Sequence, residues 1–409
     1  MNQSDKPVER VIGLDAHPDT FTAAILQGPT PAAAITQKVF NKVPMEQLES
    51  WAKKHTTAND LIVLEASGNS FDIKRRFDAI ERRAKVLESC QMGKLKEAHA
   101  NNDKISAVRI GKAYLAGTAK EVWVPDLKTQ ERRDVFHAHR KATKNTTRAC
   151  NSLRSYLSDN GVRLKKGTRL TTDPKLEETL RAARPWSSMQ WMLIEGMLLE
   201  LRHSAAQRNH WRSFIAQEVL GDAQLLSIVR LCGVREMIAF ALGAFIGDIK
   251  RFAHPKKLVK YLGLNPAFDD SGNAEWSGGI GGHGRKDVRC LLIEGAQAVL
   301  RHSQTPLAHW GKKLLARKGK RNLVVAAIAR KMAVAVWYLL MGRWTPVEEI
   351  EVRLHIKLTK IVGQIGKDHL SGKTRKAWRQ ESCQLLKTGR VYELDPDKKF
   401  SPQPALVTA

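Results

Sequence analysis

Three carboxylates and one serine are the residues of this sequence best suited to chemistry. Asp15 closes the apolar run in "RVIGLDAH", Glu65 closes the one in "NDLIVLEASG", and Asp103 opens the helical stretch "DKISAVRIGKAYLAG". In an open α/β sheet, ligands gather where strands end at a change in strand order. Two acids delivered there by neighbouring strands, with a third at a helix start, make an oxygen cage for magnesium, which favours carboxylates, water and substrate phosphate. Taken singly, each acid is more often a strand-end or helix-cap residue, and the combination is stronger than its parts. Ser271 lies in "NPAFDDSGNAEWSGGIGGHGRKDVR", between two aspartates and a glycine, ahead of a glycine-rich basic run. No G-x-S-x-G elbow surrounds it and no base can be paired with it locally. On this stretch alone it reads as a turn residue in a hairpin or loop.

The elements that must position these residues follow from periodicity. From Arg10, three short runs rich in Val, Ile, Thr and Phe read as a three-strand meander. A helical pattern in "PMEQLESWAKKH" precedes the nearly continuous apolar run ending at Glu65, the mark of a buried central strand. "FDIKRRFDAIERRA" and "MGKLKEAHANN" then bracket a short strand in "KVLES", so strands and helices alternate and an α/β domain is expected over residues 1–128. Residues 129–221 become long, polar and helical, with apolar residues three and four apart. Two long helices are expected, as an antiparallel pair or a dimerising coiled coil. Within residues 222–345, "LLSIVRLCGVREMIAFALGAFIGDIKRF" reads as helix, glycine turn, helix. That turn either faces a DNA phosphate or simply joins two packed helices. A helix from about Arg285 to His302 and a strongly basic one follow, and residues 346–409 read as a basic, partly disordered tail.

Charge narrows the partner. Lys and Arg outnumber Asp and Glu 68 to 41, a formal charge of +27, which calls for a polyanion, most simply nucleic acid. No run of about 18 apolar residues is expected and no polybasic cluster flanking one, so a membrane is not expected as partner. "MNQSDKPVER" lacks the charged-then-apolar pattern of a secretory signal, and a cytoplasmic protein is expected. Cys90, Cys150, Cys232, Cys290 and Cys383 are scattered with no C-x-x-C pair, so neither a disulfide framework nor a zinc site is supported. They read as reduced, mostly buried residues.

"IGLDAH", "LIVLEASGNS" and "NNDKISAVRIGKAYLAG", followed by a helical spacer and "GVREMIAFALGAFIGDIKRFAHPKKLVKYLGLNPAFDDSG", resemble in this order the IS-one-ten family of insertion-sequence transposases, the DEDD or bridge-RNA-guided recombinases. The resemblance covers about Val11 to Gly342. It implies a RuvC-like, ribonuclease-H-type α/β domain, a coiled-coil connector, and a mostly helical C-terminal transposase domain with a helix-hairpin-helix-like segment and a nucleophilic serine. The family's acids fall on Asp15, Glu65 and Asp103, and its serine on Ser271. The fourth acid should stand one helical turn after Asp103, where this chain has Ser106, a neutral and weaker magnesium ligand.

What the resemblance implies is attack of Ser271 on a scissile phosphodiester, a covalent protein-DNA intermediate, and rejoining by reversal, with Mg2+ at the acids. Either the three acids suffice, or Ser106, another acid or water completes the set. Gly272 leaves room for phosphate to approach backbone. Arg285, Lys286 and Arg289, together with Lys312, Lys313, Arg317, Lys318, Lys320 and Arg321, are candidate nucleic-acid contacts, against the plainer reading of solvated helix faces. Implied partners are donor and target DNA, a guide RNA and further copies of the chain, as a dimer or tetramer with a composite site between protomers. Two other classes fit part of the pattern. A RuvC-like nuclease would use the acids without Ser271, and an inactivated nucleic-acid binder would tolerate Ser106.

Overall fold

The structure, a computed structural model, describes residues 8–89, 102–165, 167–271, 274–342 and 351–388. The chain forms two compact units, residues 1–126 and 127–409. The first is a mixed α/β sheet domain and the second is mostly helical.

In the first unit, β1 (Val11–Ala16), β2 (Thr20–Gln27) and β3 (Ile35–Pro44) form the expected antiparallel meander. Helix α1 (Leu48–His55), β4 (Leu61–Glu65), α2 (Ser70–Ala79), β5 (Arg83–Leu87), α3 (Asp103–Leu115) and β6 (Glu121–Val122) follow. The sheet order is β3-β2-β1-β4-β5-β6, with β1, β4 and β5 parallel. The helix read in "MGKLKEAHANN" lies outside the described residues.

Strand alternation divides the sheet into two faces. Ile12, Leu14, Ile62, Leu64 and Val86 pack with Leu48, Trp51, Ile73 and Phe77 of α1 and α2. Val11, Leu61, Val63 and Leu87 pack with Ile110 and Ala113 of α3. The strands are thus buried on both faces, which is why their sequences are continuous in apolar residues rather than alternating. Gly13 lets α3 approach: a Cβ there would lie 1.9 Å from the Ala107 carbonyl oxygen and 2.8 Å from the Gly111 nitrogen.

The second unit opens with the two long helices, α4 (Leu127–Asp159) and α6 (Ser188–Gly221), with the short α5 (Leu176–Ala183) between them. They run antiparallel. Arg132 near the start of α4 pairs with Glu218 and Asp222 at the end of α6, and Gln190 at the start of α6 donates to Asn160 just past α4. Ala149, Leu153 and Leu157 meet Ile194, Leu198 and Leu201 between them. Of the two arrangements read from the sequence, the intramolecular pair is the one formed here.

Asp222 caps α7 (Ala223–Val229), and α8 (Glu236–Ile246) follows across Gly233. This helix-turn-helix is a packed element. Gly233 would bring a Cβ to 2.6 Å from the Gly295 carbonyl oxygen, and the buried Glu236 in the first turn of α8 pairs with Arg212 and Arg235. The N-terminus of α8 carries no side-chain cap, and the Glu236 carboxylate beside it is held by the two arginines.

The core of the unit continues through α9 (Pro255–Tyr261), the hairpin β7 (Pro266–Ser271) and β8 (Ala274–Ile280), α10 (Lys286–His302), α11 (Pro306–Lys318) and α12 (Arg321–Leu340). Helix α12 corrects the expectation of no long apolar run: it is long and apolar enough to cross a membrane by length and composition, yet 67% of its most apolar window is buried inside the unit. It is apolar because it is the central helix of this core, in contact with α10, α9 and α11. The segment expected as a disordered tail also differs over its described part. Helices α13 (Glu351–Val362) and α14 (Arg375–Thr388), with the segment between them, bury Leu358, Ile361, Ile365 and Trp378 in the same core. Lys357 donates to the Val229 and Leu231 carbonyls at the end of α7, at 2.8 and 2.9 Å. Among the described cysteines, all free, only Cys232 is buried, while Cys290 is exposed; Cys90 lies outside the described residues.

Candidate functional site

The three acids reach one corner of the first unit through two registers. Strands β1 and β4 pair in parallel up to Leu14 and Leu64, so Asp15 and Glu65 are the next residues at adjacent strand ends. Both continue the face of Val11, Val63 and Leu61, which α3 covers. Gly13 touches Ala107 of α3. Two residues along a strand span about 6.6 Å and four along a helix about 6 Å, so this contact sets Asp15 opposite Asp103. The corner adjoins the place where β1 has an antiparallel neighbour on one side and a parallel one on the other, a switch in the sheet.

The ligand atoms of Asp15, Asp103 and a third residue, His17, all lie within 4.8 Å of one another. His17 Nε2 is 3.5 Å from Asp103 Oδ1, with the imidazole 49% and the carboxylate 34% exposed. His17 is the site residue that sequence reading passed over. Its signal was its place two residues after Asp15, which keeps it on the same face as the strand gives out. Glu65, half-buried, stands at the neighbouring strand end outside this three-residue set. Asn102 caps α3 through its side chain, which accepts from the Ile105 amide at 2.9 Å, and so fixes where Asp103 begins the helix. Ser106, half-buried, stands one turn along from Asp103 in α3.

Ser271 lies elsewhere, in the second unit. It is the last residue of β7, and its backbone pairs with Ala274 at the start of β8. The hairpin expected from the local stretch is thus formed. The Ser271 side chain and all of Gly272 lie outside the described residues.

The base of this hairpin is held by cations turned inward. Arg289 Nη1 lies 3.0, 3.2 and 2.8 Å from the carbonyl oxygens of Gly263, Gly281 and His283. Arg330 Nε donates to the Leu264 carbonyl at 2.6 Å, and burial pushes its guanidinium below the usual range. Gly263 and Gly284, both at positive φ, pass so close that a Cβ on Gly284 would be 2.6 Å from the Gly263 nitrogen. Arg285 lies 4.0 Å over the Phe245 ring and donates to Asp287 at 3.0 Å. Of the three cations expected to meet phosphate beside this hairpin, Lys286 is exposed, whereas Arg285 and Arg289 are half-buried and engaged with the protein.

The other six candidate cations share one exposed corner. Lys312, Lys313, Arg317 and Lys318 lie on α11, Lys320 and Arg321 at the start of α12, and Gly319 turns the chain between them in the left-handed conformation. Lys331 is different: it sits 4.6 Å over the Trp310 ring, and burial lowers its ammonium pKa.

An acid-lined sheet corner in one unit and a cationic helical corner in another suit a protein that handles nucleic acid. Residues 226–310, from α7 into α11, match the model of the family "Transposase IS116/IS110/IS902 family". The chain is 28% identical over 225 residues to a "Probable family 20 transposase" of Pseudomonas aeruginosa, covering 53% of this chain and 66% of that relative, just under two thirds of its length. It is 24% identical over 247 residues to the "Transposase for insertion sequence element IS1111A" of Coxiella burnetii, covering 60% of this chain and 68% of that one. Residues 226–310 are thus similar to the transposase domain of the IS116/IS110/IS902 family.

Proposed function

We propose that the protein is a DNA recombinase of the transposase type, cutting and rejoining DNA through a phosphoserine intermediate at Ser271. The observation that carries this is the meeting of Asp15, His17 and Asp103 at one sheet corner in a chain whose residues 226–310 match the transposase family model. Ser271 Oγ would attack a scissile phosphodiester, forming an O–P bond as the ester to the leaving nucleoside oxygen breaks. The number of phosphoesters is conserved, so rejoining by reversal needs no energy source. A serine hydroxyl is largely protonated at neutral pH and needs help to act as a nucleophile.

The donor set at the corner, carboxylate oxygens with Glu65 adjacent, fits a divalent cation. Asp15, Glu65 and Asp103 would hold Mg2+, which when bound supplies positive charge against the reacting phosphate. The exposed lysines and arginines around Gly319 would track backbone phosphates. Sequence would be read by a guide RNA through base pairing, leaving the protein to read charge and shape.

The exposed face of α6 supports self-association through the helical pair. Met189, Met192, Leu193 and Leu199 are 53–78% exposed and recur at helical spacing, opposite the face that packs on α4. A second copy of the chain would cover them.

The experiment is to mix purified protein, guide RNA, Mg2+ and end-labelled DNA, denature in detergent and look for labelled DNA that migrates with protein. Wild type should give the adduct. Ser271→Ala should bind DNA and give none, and Asp15→Ala should also give none. Adduct from Ser271→Ala at the wild-type level would exclude this serine. Cleavage without adduct by both proteins would point to a nuclease in which water attacks.

A further inference from the structure

We propose that His17 is itself a metal ligand, so that the acidic corner offers an imidazole nitrogen besides its carboxylates and takes manganese(II) in preference to magnesium. The inference rests on reading that corner as a metal site, and goes beyond it in the identity of the donors and of the ion.

The geometry is convergent. Two donors on one small divalent ion at roughly 2.0–2.2 Å can be no more than about 4.4 Å apart. The ligand atoms of Asp15, His17 and Asp103 lie within 4.8 Å of one another, a few tenths of an ångström beyond that limit and within reach of a small side-chain adjustment. His17 is anchored by its backbone as well. Its N–H donates to the Thr20 carbonyl at 2.9 Å, and the Asn69 side-chain amide donates to its carbonyl at 3.0 Å. The turn that carries the imidazole is therefore tied both to β2 and to the start of α2. An exposed His–Asp pair adds little stability on its own.

The chemistry follows from what stands at the fourth acid's position. With Ser106 in place of a carboxylate, one charged oxygen is absent from the set. A neutral imidazole restores the number of strong donors without restoring the charge. Carboxylate and water suit magnesium and manganese alike, so the imidazole is what tips the choice away from magnesium and toward a first-row transition ion. Manganese(II) accepts carboxylates, water and imidazole together.

The test uses the full chain, stripped of metal by chelation and titrated with Mn2+ under electron paramagnetic resonance, with pulsed measurements for coupling to a ligand nitrogen. Wild type should bind Mn2+ and show an imidazole coupling. His17→Ala should lose that coupling and weaken Mn2+ binding by about tenfold or more, while Mg2+ binding, read by competition, changes less. Should His17→Ala fail to fold, His17→Gln, which keeps a polar side chain without the imidazole, serves in its place, with circular dichroism reporting the fold.

Asp15→Asn separates the two layers of the argument. If Asp15→Asn lowers Mn2+ affinity but the nitrogen coupling is missing in wild type or survives in the His17 variants, His17 is no ligand and the oxygen site stands. If Asp15→Asn leaves Mn2+ binding unchanged, or wild type binds none, the metal reading of the corner falls and this inference falls with it.

Discussion

Gly13 and Ala107 touch backbone to backbone: a Cβ on Gly13 would lie 1.9 Å from the Ala107 carbonyl oxygen. That contact fixes the height of α3 on β1 and, through it, brings Asp103 level with Asp15. Gly13→Ala must push the helix away, since the obstructing atom is backbone and cannot rotate aside. Overpacking of this kind costs about 1–3 kcal/mol. The variant should show a lowered urea midpoint together with a weakened Mn2+ or Mg2+ affinity. A stable variant with unchanged metal affinity would show that this contact does not position the acids.

Arg289 should behave as a positioning residue for the hairpin rather than as a phosphate contact. Its guanidinium joins the Gly263, Gly281 and His283 carbonyls at the hairpin base. Misplacing a reacting group by about 1 Å can cost roughly a hundredfold in rate. Arg289→Ala should therefore lose adduct formation on that scale while the salt dependence of DNA binding keeps its slope. A slope reduced by about one unit would instead place Arg289 on a phosphate.

The cations around Gly319 should do the opposite. Each phosphate contact on duplex DNA contributes roughly 0.9 to the slope of log K against log salt. Replacing Lys312, Lys313, Arg317, Lys318, Lys320 and Arg321 by Gln should flatten that slope by several units and leave thermal stability near wild type, because all six are exposed. An unchanged slope would move the interface to another face.

His139 gives the second unit a pH dependence. Burial, followed by the charges of Arg212 and Arg208, lowers its pKa to about 4. An unfolded histidine titrates near 6.5. Between about pH 6.5 and 4 the unfolded chain holds the extra proton, so stability falls as the pH drops through that window. Urea midpoints at pH 7 and pH 4.5 should differ more for wild type than for His139→Gln. Equal differences would mean that His139 does not supply this dependence.

Much of the first unit was legible in the sequence because its signals are local. The meander, the continuous apolar run of β4 and the helix starting at Asp103 follow from periodicity and capping over a few residues each. The hairpin at Ser271 was legible for the same reason, from an Asp-Ser-Gly turn between strand-forming residues. Helices α13 and α14 were not. Their polar composition suggested a tail, and the surface left open on α6 and α7 gives Leu358, Ile361 and Trp378 somewhere to pack.

The sequence by itself determined the residue types available: carboxylates at strand ends, a serine in a glycine-flanked turn, and a large excess of positive charge. Tertiary structure decided which of them meet and which are consumed. His17 joins Asp15 and Asp103 because Gly13 lets a helix from much later in the chain lie against β1. Arg285 and Arg289 look like phosphate contacts in a string of letters, yet the fold directs them to an aromatic ring, a carboxylate and backbone carbonyls. Lys312 and its neighbours look the same and remain in solvent. A cation's charge is a property of its residue, whereas its partner is set by long-range packing, and no local pattern carries that information.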